Sequence, residues 1–263
     1  MNNGSSSYHA LQIQVTKRSS VGLSFLAAYT FSKSLATTDT TINNYYVYAQ
    51  NFYDRNGEKS VTTFHHPHNL KLTWIYDLPF GQGRHWLKSG PLSYVIGGWT
   101  VSGIQNYRSG NPIWVHASAF DYNSYLFNPP GWRADVLLPA DQQELGGSGV
   151  DSVNGTPYLN PAAFAAPPKT ANGVALGLGN APRFLPNVRG PAWYDENFSI
   201  IKRIPLKFRE TANFELRADI FNLFNRAGRG DPAHDVSDPS TFGRIFGNSH
   251  GPRTVQMAAR INF

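Results

Sequence analysis

Residues 21–33, VGLSFLAAYTFSK, decide the fold class of this chain. Apolar side chains recur there at every second position from Val21 to Phe31, and mostly small or polar side chains fill the positions between them. Because successive side chains of a β-strand point to opposite faces, the stretch predicts a strand with one apolar face and one polar face. A strand of this length is longer than usual, since strands in soluble proteins typically have roughly five or six residues.

Six further segments alternate in a similar way, so the chain is predicted to be all-β. The seven predicted strands lie near residues 8–17, 21–33, 69–78, 97–108, 196–204, 212–221 and 254–263. Ile104 breaks the alternation of the fourth segment, and only Phe198 and Ile200 mark the apolar face of the fifth. Most segments reach about ten residues, which is enough to cross an outer membrane when the strands tilt by about 40°.

The connections between these segments alternate between short and long. Short connections are predicted at 18–20, 79–96 and 205–211, and long loops at 34–68, 109–195 and 222–253. Antiparallel strands place every second connection at the same end of a sheet, so the three long loops are predicted to lie together. Outer-membrane barrels have this arrangement, with short periplasmic turns and long extracellular loops.

Composition also favours a membrane barrel. Charged residues make up 15% of the chain, against roughly 25% in soluble domains, and no apolar run reaches the length of about 18 residues that a transmembrane helix needs. Aromatic side chains mark the ends of the apolar faces, where membrane-interface girdles lie: Tyr29, Phe31, Tyr76, Trp99, Tyr107 and Phe263. We predict an antiparallel transmembrane β-barrel in the cell outer membrane of a Gram-negative bacterium. A secreted β-sandwich is the alternative, because alternation alone is compatible with it.

The strand count predicts that the barrel is partial. Bacterial single-chain barrels have an even number of strands, about eight at the least. Residues 1–7 are polar and contain no apolar segment of a signal peptide. We therefore expect about seven C-terminal strands of a larger barrel, whose other strands lie upstream of Met1. We also expect this chain not to be stable alone, because unpaired strand edges in lipid are costly.

The residue inventory argues against catalysis and against nucleic-acid binding. The chain has no cysteine, which excludes disulfides, thiolate metal sites and cysteine nucleophiles. No serine lies in a G-x-S-x-G context, and the basic residues behind the net charge of +6 form no dense run. We predict no enzymatic activity, no cofactor and no nucleic-acid partner.

Histidines cluster just before the third predicted strand. His65 and His68, with His66 between them, are a weak candidate for a transition-metal site. Pro67 within the cluster favours a turn at the rim of the barrel instead. We therefore predict no metal and keep His65 and His68 as the one candidate pair.

Charged residues share one face of the sixth predicted strand. Glu215, Arg217 and Asp219 alternate there with apolar residues, and Arg260 is placed to pair with them from the seventh strand. In a soluble enzyme, carboxylates beside an arginine are candidates for acid–base catalysis. In a barrel they are predicted to face the lumen as a polar ladder.

Aromatic side chains crowd the first two long loops. Aromatic rings on loops stack on sugars and flat ligands and are enriched at interfaces, and packing of the loops against one another is the alternative role. The candidate ligand-binding residues are Tyr45, Tyr46, Tyr48, Trp114, Tyr122 and Trp132.

Several motifs, in order along the chain, resemble TonB-dependent outer-membrane receptors. They are SYHALQ at 7–12 with Lys17 and Arg18, LPFGQGR at 78–84, GWTVSGI at 98–104 before SGNP at 109–112, LNPAAF at 159–164, NVRGP at 187–191 and LRADIFNLFN at 216–225. The last motif is similar to the penultimate strand of that family, whose final strand ends in phenylalanine. The set resembles the long-looped subgroup with a carboxypeptidase-regulatory-like N-terminal module.

The resemblance implies a barrel of about 22 strands with a plugged lumen, which imports a scarce nutrient of the siderophore, cobalamin or glycan class. It implies contact with the TonB complex through the missing N-terminal region, outer-membrane lipid as surroundings, and a small-molecule or glycan ligand. Met257, Ile261 and Phe263 match its recognition signal for the barrel-assembly machinery. A non-transporting adhesion or binding barrel is the first alternative, and a secreted β-sandwich glycan-binding module is the second.

Overall fold

The computed structural model describes residues 4–18, 22–39, 50–51, 53–118, 133–172, 176–206 and 212–263. Seven long strands form one antiparallel sheet: β1 (Ser6–Lys17), β2 (Leu23–Ala36), β4 (His68–Asp77), β5 (Trp99–Arg108), β9 (Trp193–Pro205), β10 (Asn213–Phe221) and β12 (Thr254–Asn262). Five two-residue strands lie between them: β3 (Ser60–Val61), β6 (Asp135–Val136), β7 (Thr156–Pro157), β8 (Phe164–Ala165) and β11 (Arg244–Ile245). Each long strand pairs with the next one along the chain, in the order β1-β2-β4-β5-β9-β10-β12.

The strand register places most of the apolar side chains of the seven long strands on one face of the sheet. Tyr29 of β2 lies opposite Ile13 of β1 and Leu70 of β4. At the other side of the sheet, Ala218 of β10 lies opposite Ile200 of β9 and Met257 of β12. We call this surface the apolar face and the opposite one the polar face. The all-β, antiparallel fold class is thereby confirmed.

The long loops all lie at one end of the sheet. Residues 37–67, 109–192 and 222–253 connect the strands at this loop end, and residues 18–22, 78–98 and 206–212 connect them at the opposite turn end. One of the turn-end connections contains the helix α1 (Pro91–Ile96), which the sequence analysis did not predict. No described helix is long and apolar enough to cross a membrane.

Gly103 explains why the alternation breaks in β5. It occupies a position on the apolar face, opposite Trp74 of β4 and Phe198 of β9. A Cβ atom added at Gly103 would lie 2.7 Å from atoms of the Trp74 ring. The large ring therefore covers the place of a side chain, and the neighbouring Ile104 points to the polar face.

The sheet is open at both edges. Strands β1 and β12 each pair with a single long strand among the described residues, so the sheet does not close on itself. No second sheet covers the apolar face within the described ranges, and Leu11, Val15 and Met257 on it are exposed. A secreted β-sandwich would bury these side chains in a core, so that alternative is wrong.

The hydrophobic core of the molecule lies in the loops. We call the described parts of residues 37–67, 109–192 and 222–253 the loop assembly. Its core is formed by Ile113, Val115, Ala134, Tyr158, Leu159, Ala163, Phe164, Leu185, Val188, Phe242 and Ile245. The ladder of β7 with β11 joins the second and third loops, the ladder of β6 with β8 closes a part of the second loop on itself, and β3 adds to the edge of β2. The loop assembly is therefore a folded unit seated on the loop end of the sheet.

Candidate ligand-binding site at the loop end

A cavity of about 380 Å³ opens where the end of β5 meets the loop assembly. It is lined by Thr63, Phe64, His66, Arg108, Asn111, Pro112, Ile113, Trp114, Phe184, Asp231, Pro232 and His234. All three long loops contribute to this lining. The volume lies within the range of roughly 300–1,000 Å³ that is typical of small-molecule sites.

Arg108 brings a positive charge to the cavity from the sheet. It is the last residue of β5 and lies on the polar face, opposite Asn69 of β4 and Trp193 of β9. Its guanidinium carbon lies 5.1 Å from the centroid of the Trp193 ring, a cation–π distance. The ring of His250 covers Trp193 in turn, with centroids 3.8 Å apart. Arg108 is thus held at the junction of sheet and loops.

A stack of aromatic rings forms one wall of the cavity. The Trp114 ring lies parallel to His116, with centroids 4.0 Å apart and an interplanar angle of 14°, and its centroid is 4.5 Å from that of His234. Burial lowers the pKa of His116 to about 4, and the nearby His234 acts in the same direction. Burial likewise lowers the pKa of His234. Both imidazoles are therefore neutral at neutral pH, and the wall is flat and uncharged.

The remaining polar groups of the cavity are oriented by their neighbours. Asn111 donates its side-chain amide to Asp231 over 2.8 Å. The Nδ1 atom of His66 lies 3.0 Å from the carbonyl oxygen of Ser109, to which it can only donate. Its Nε2 atom is then an acceptor. The cavity thus combines a cation, a carboxylate, a hydrogen-bond acceptor and flat rings, a set that binds small polar molecules with a ring or a flat face.

A buried ion pair fixes the first loop to the second. Glu58 forms an ion pair with Arg133, and both side chains are buried. Glu58 also accepts hydrogen bonds of 2.9 Å from the backbone amides of Gln50 and Asn51. Arg183, equally buried, donates to the carbonyl oxygen of Ala36 at the end of β2. These contacts hold the walls of the cavity in place.

The structure places only part of the predicted ligand-binding set. Trp114 lines the cavity, and its role in binding stays a prediction. Tyr45, Tyr46, Tyr48, Tyr122 and Trp132 lie outside the described residues. The sequence analysis considered His66 only as part of the histidine cluster, and it missed Arg108, Asp231 and His234, because no local pattern shows that the strand end and the loops converge there.

The candidate metal pair is split between two environments. His65 is buried, and its Nδ1 atom lies 3.4 Å from the backbone amide of Ser34. Burial lowers the pKa of His65 to about 4, and the cationic Arg189 acts in the same direction. His68 is engaged with the Tyr29 hydroxyl, 2.8 Å from its Nδ1 atom. Within the described ranges, no group of three or more histidine, aspartate or glutamate side chains is arranged to hold a metal ion.

The predicted polar ladder lies on the polar face of the sheet. Arg203 of β9 forms an ion pair of 2.8 Å with Glu215, and Arg217 forms one of 2.8 Å with Asp219. Arg260 of β12 is the register partner of Glu215. The charges therefore alternate across three neighbouring strands, and their orientation toward a lumen stays a prediction.

The predicted assembly signal lies at the β12 edge. Met257 and Ile261 lie on the apolar face, opposite Ala218 and Phe214 of β10. Both side chains, and that of the terminal Phe263, are exposed. An accessible apolar edge suits recognition by another protein, and the role in barrel assembly stays a prediction.

Comparison with known proteins gives one match. The sequence model of a family described as "Outer membrane beta barrel domain" matches residues 1–256. Searches of curated proteins and of solved structures found no match. The match covers nearly the whole chain and agrees with the two-faced antiparallel sheet.

Proposed function

Because the chain belongs to the outer membrane beta barrel domain family, we propose that it forms part of the wall and the ligand-binding loops of a TonB-dependent receptor that imports a scarce nutrient. The protein lies in the cell outer membrane, as its family implies. The motifs that resemble TonB-dependent receptors, from residues 7–12 to 216–225, support the finer assignment.

The observation that carries this proposal is the folded loop assembly with its cavity. A barrel that serves only as a passive wall has no need of a hydrophobic core inside its loops. Here Leu159, Leu185 and Ile245 are almost completely buried between the loops. A loop assembly with its own packed core is expected to keep a binding site preorganised, which lowers the entropic cost of capturing a ligand.

The cavity favours a small polar ligand. Trp114 offers a flat ring, and Arg108 and Asp231 offer opposite charges in the lining of the same cavity. Siderophores, cobalamin and glycans all combine polar groups with ring structures, and any of the three classes is compatible with this lining.

Binding is tested with the full-length protein in detergent and a panel of ferric siderophores, cobalamin and oligosaccharides. Trp114→Ala is expected to weaken binding of the recognised compound about tenfold, because one stacked ring contributes roughly 1–1.5 kcal/mol. Trp86→Ala, at the turn end, is the matched control and is expected to leave affinity unchanged. If the Trp114 variant and the wild type bind the compound with equal affinity, the cavity is not its binding site.

The second candidate function is a binding or adhesion barrel without transport. The same wall and the same loop assembly suit it equally well. Uptake of the bound compound by cells with and without TonB separates the two. Uptake that disappears without TonB supports the receptor, whereas binding without any TonB-dependent uptake supports the adhesion barrel.

A further inference from the structure

The helix at the turn end exposes its apolar side chains and buries a polar one. In α1 (Pro91–Ile96) the one buried residue is Ser93, whose hydroxyl donates to the carbonyl oxygen of Gly90. Leu92 and Val95 are exposed, Val95 with 70% of its surface. A helix packed on a water-soluble protein does the opposite and turns its apolar stripe toward the core.

The apolar surface of α1 continues into the preceding turn. Within residues 86–96, the exposed large apolar side chains are Trp86, Leu87, Leu92, Tyr94, Val95 and Ile96. The turn before them is closed by a backbone hydrogen bond of 2.9 Å from Gly81 to Trp86, and Phe80 packs against Trp86. Exposed apolar patches of this kind mark contact with a membrane or a partner.

Two residues of the sheet fix the position of α1. Lys202 of β9 donates its ammonium group to the carbonyl oxygens of Tyr94 and Val95, over 2.6 and 3.0 Å. The Trp99 indole donates to the same Val95 oxygen over 3.1 Å. These donors satisfy carbonyl groups that a helix C-terminus otherwise leaves open.

The attachment shows on which side of the sheet α1 lies. Trp99 and Lys202 are register partners, and they belong to the same face as Val101 and Ile200. That is the apolar face, which meets lipid in an outer-membrane barrel. The exposed surface of α1 is therefore continuous with the lipid-facing surface of the sheet and does not point into a lumen.

The charges around α1 suit phospholipid headgroups. Residues 78–98 contain Arg84 and Lys88 and no acidic residue. Arg84 pairs with Asp77 over 3.0 Å, and Lys88 is exposed. Amphipathic segments with apolar and aromatic side chains on one surface and basic residues beside them lie in the interface between headgroups and acyl chains.

We propose that residues 86–96 are a membrane-interface anchor that inserts into the headgroup region of the leaflet at the turn end, with Lys88 directed to lipid phosphates. Its partner is the phospholipid surface itself. The anchor holds the turn end of β4 and β5 at a fixed depth. It is independent of ligand binding at the loop end, so each can fail without the other.

Residues 1–263 contain no cysteine, so the position of a label within them can be chosen freely. The full-length protein is reconstituted in vesicles of phosphatidylethanolamine and phosphatidylglycerol, with single cysteines that carry an environment-sensitive nitrobenzoxadiazole label. Val95→Cys reports on the anchor. Val153→Cys in the loop assembly, 82% exposed, is the matched control in water, and Met257→Cys on the apolar face, also 82% exposed, reports insertion of the sheet.

The label at Val95 is expected to emit at shorter wavelength than the label at Val153, and brominated phospholipids should quench it several-fold more strongly. The label at Met257 should also be quenched. If Met257 is quenched while Val95 behaves like Val153, the sheet lies in lipid and the anchor does not exist. The substitution Lys202→Met is a second test, because it removes the hydrogen bonds to the carbonyl groups of Tyr94 and Val95. It should reduce quenching of the label at Val95 and leave quenching of the label at Met257 unchanged. Unchanged quenching at Val95 would show that Lys202 does not hold the anchor in place.

Discussion

The sheet and the loop assembly differ in the exposure of their apolar side chains. In the loop assembly, Leu159, Leu185 and Ile245 are buried as in a water-soluble domain. In the sheet, Leu11, Val15 and Met257 form a continuous face and stay exposed. Burial is driven by water, so a face that remains apolar and uncovered is adapted to a different solvent. One chain is thus built for lipid in one region and for water in the other.

The two regions differ in their ion pairs as well. Glu58 and Arg133 are paired in the interior of the loop assembly, whereas Arg203 and Glu215 are paired on the polar face of the sheet with Arg203 half exposed. A buried pair cannot lose one partner without leaving an uncompensated charge. An exposed pair can, because water replaces the partner.

Removal of one acidic partner in each region should give the largest difference in stability between the two regions. Glu58→Ala is expected to destabilise the loop assembly by about 3–5 kcal/mol, since Arg133 would remain buried and unpaired. Glu215→Ala in the sheet is expected to cost less than about 1 kcal/mol. The full-length protein is unfolded in urea with two readouts. Proteolytic cleavage of the loops reports the cost of Glu58→Ala, and intrinsic fluorescence reports the cost of Glu215→Ala. Similar costs for both variants would erase the distinction between the regions.

Neighbouring positions in β4 should show the difference between the two faces of the sheet. Leu72 lies on the apolar face and Thr73 on the polar face, at nearly the same depth. Leu72→Arg is expected to destabilise the folded barrel by about 2–4 kcal/mol, which is the cost of a basic side chain near the bilayer midplane. Thr73→Arg should be close to neutral. Folding equilibria in lipid vesicles compare the two, and a larger cost for Thr73→Arg would contradict the assigned orientation.

Acid should loosen the loop assembly before the sheet. Burial lowers the pKa of His65 and of His116 to about 4, while the unfolded chain keeps values near 6.5. Because a histidine with a lowered folded pKa gains protons only in the unfolded state, stability is complete above about pH 6.5 and falls as the pH drops toward 4. The expected loss is on the order of 1–3 kcal/mol for each histidine by about pH 4.5.

This loss is measured as the urea midpoint for proteolytic cleavage of the loops, at about pH 7 and about pH 4.5. The double variant His65→Gln, His116→Gln should lose the part of the pH dependence that these two histidines contribute and keep the part that comes from His66 and His234, whose pKa values burial also lowers. A midpoint that falls equally in wild type and variant would assign the effect to other groups.

The sequence predicted the sheet well because alternation is a local signal. The long strand β2 begins and ends within three residues of the predicted segment 21–33, and the three long loops share one end as their spacing required. Two of the positions at which alternation failed are explained by tertiary contacts. Trp74 covers Gly103, and Lys202 occupies the apolar face because it binds the carbonyl groups of α1.

The loop assembly and its cavity could not be predicted from the sequence. The ladder between β7 and β11 joins two loops and leaves no period in either of them. The core residues Val115, Leu159 and Phe242 come from distant positions and are surrounded by polar sequence. Trp114 could be singled out as an aromatic residue in a loop, whereas Arg108 gains its position only from the fold.

The most direct test of the account is the accessibility of β4 in a membrane. Single cysteines at residues 70–75 of the full-length protein in lipid vesicles are treated with a maleimide that cannot cross the bilayer. We predict alternation: positions 71, 73 and 75 on the polar face react quickly, and positions 70, 72 and 74 on the apolar face are protected by lipid. Uniform reactivity along the strand would contradict the division of the molecule into a lipid-facing sheet and a water-exposed loop assembly.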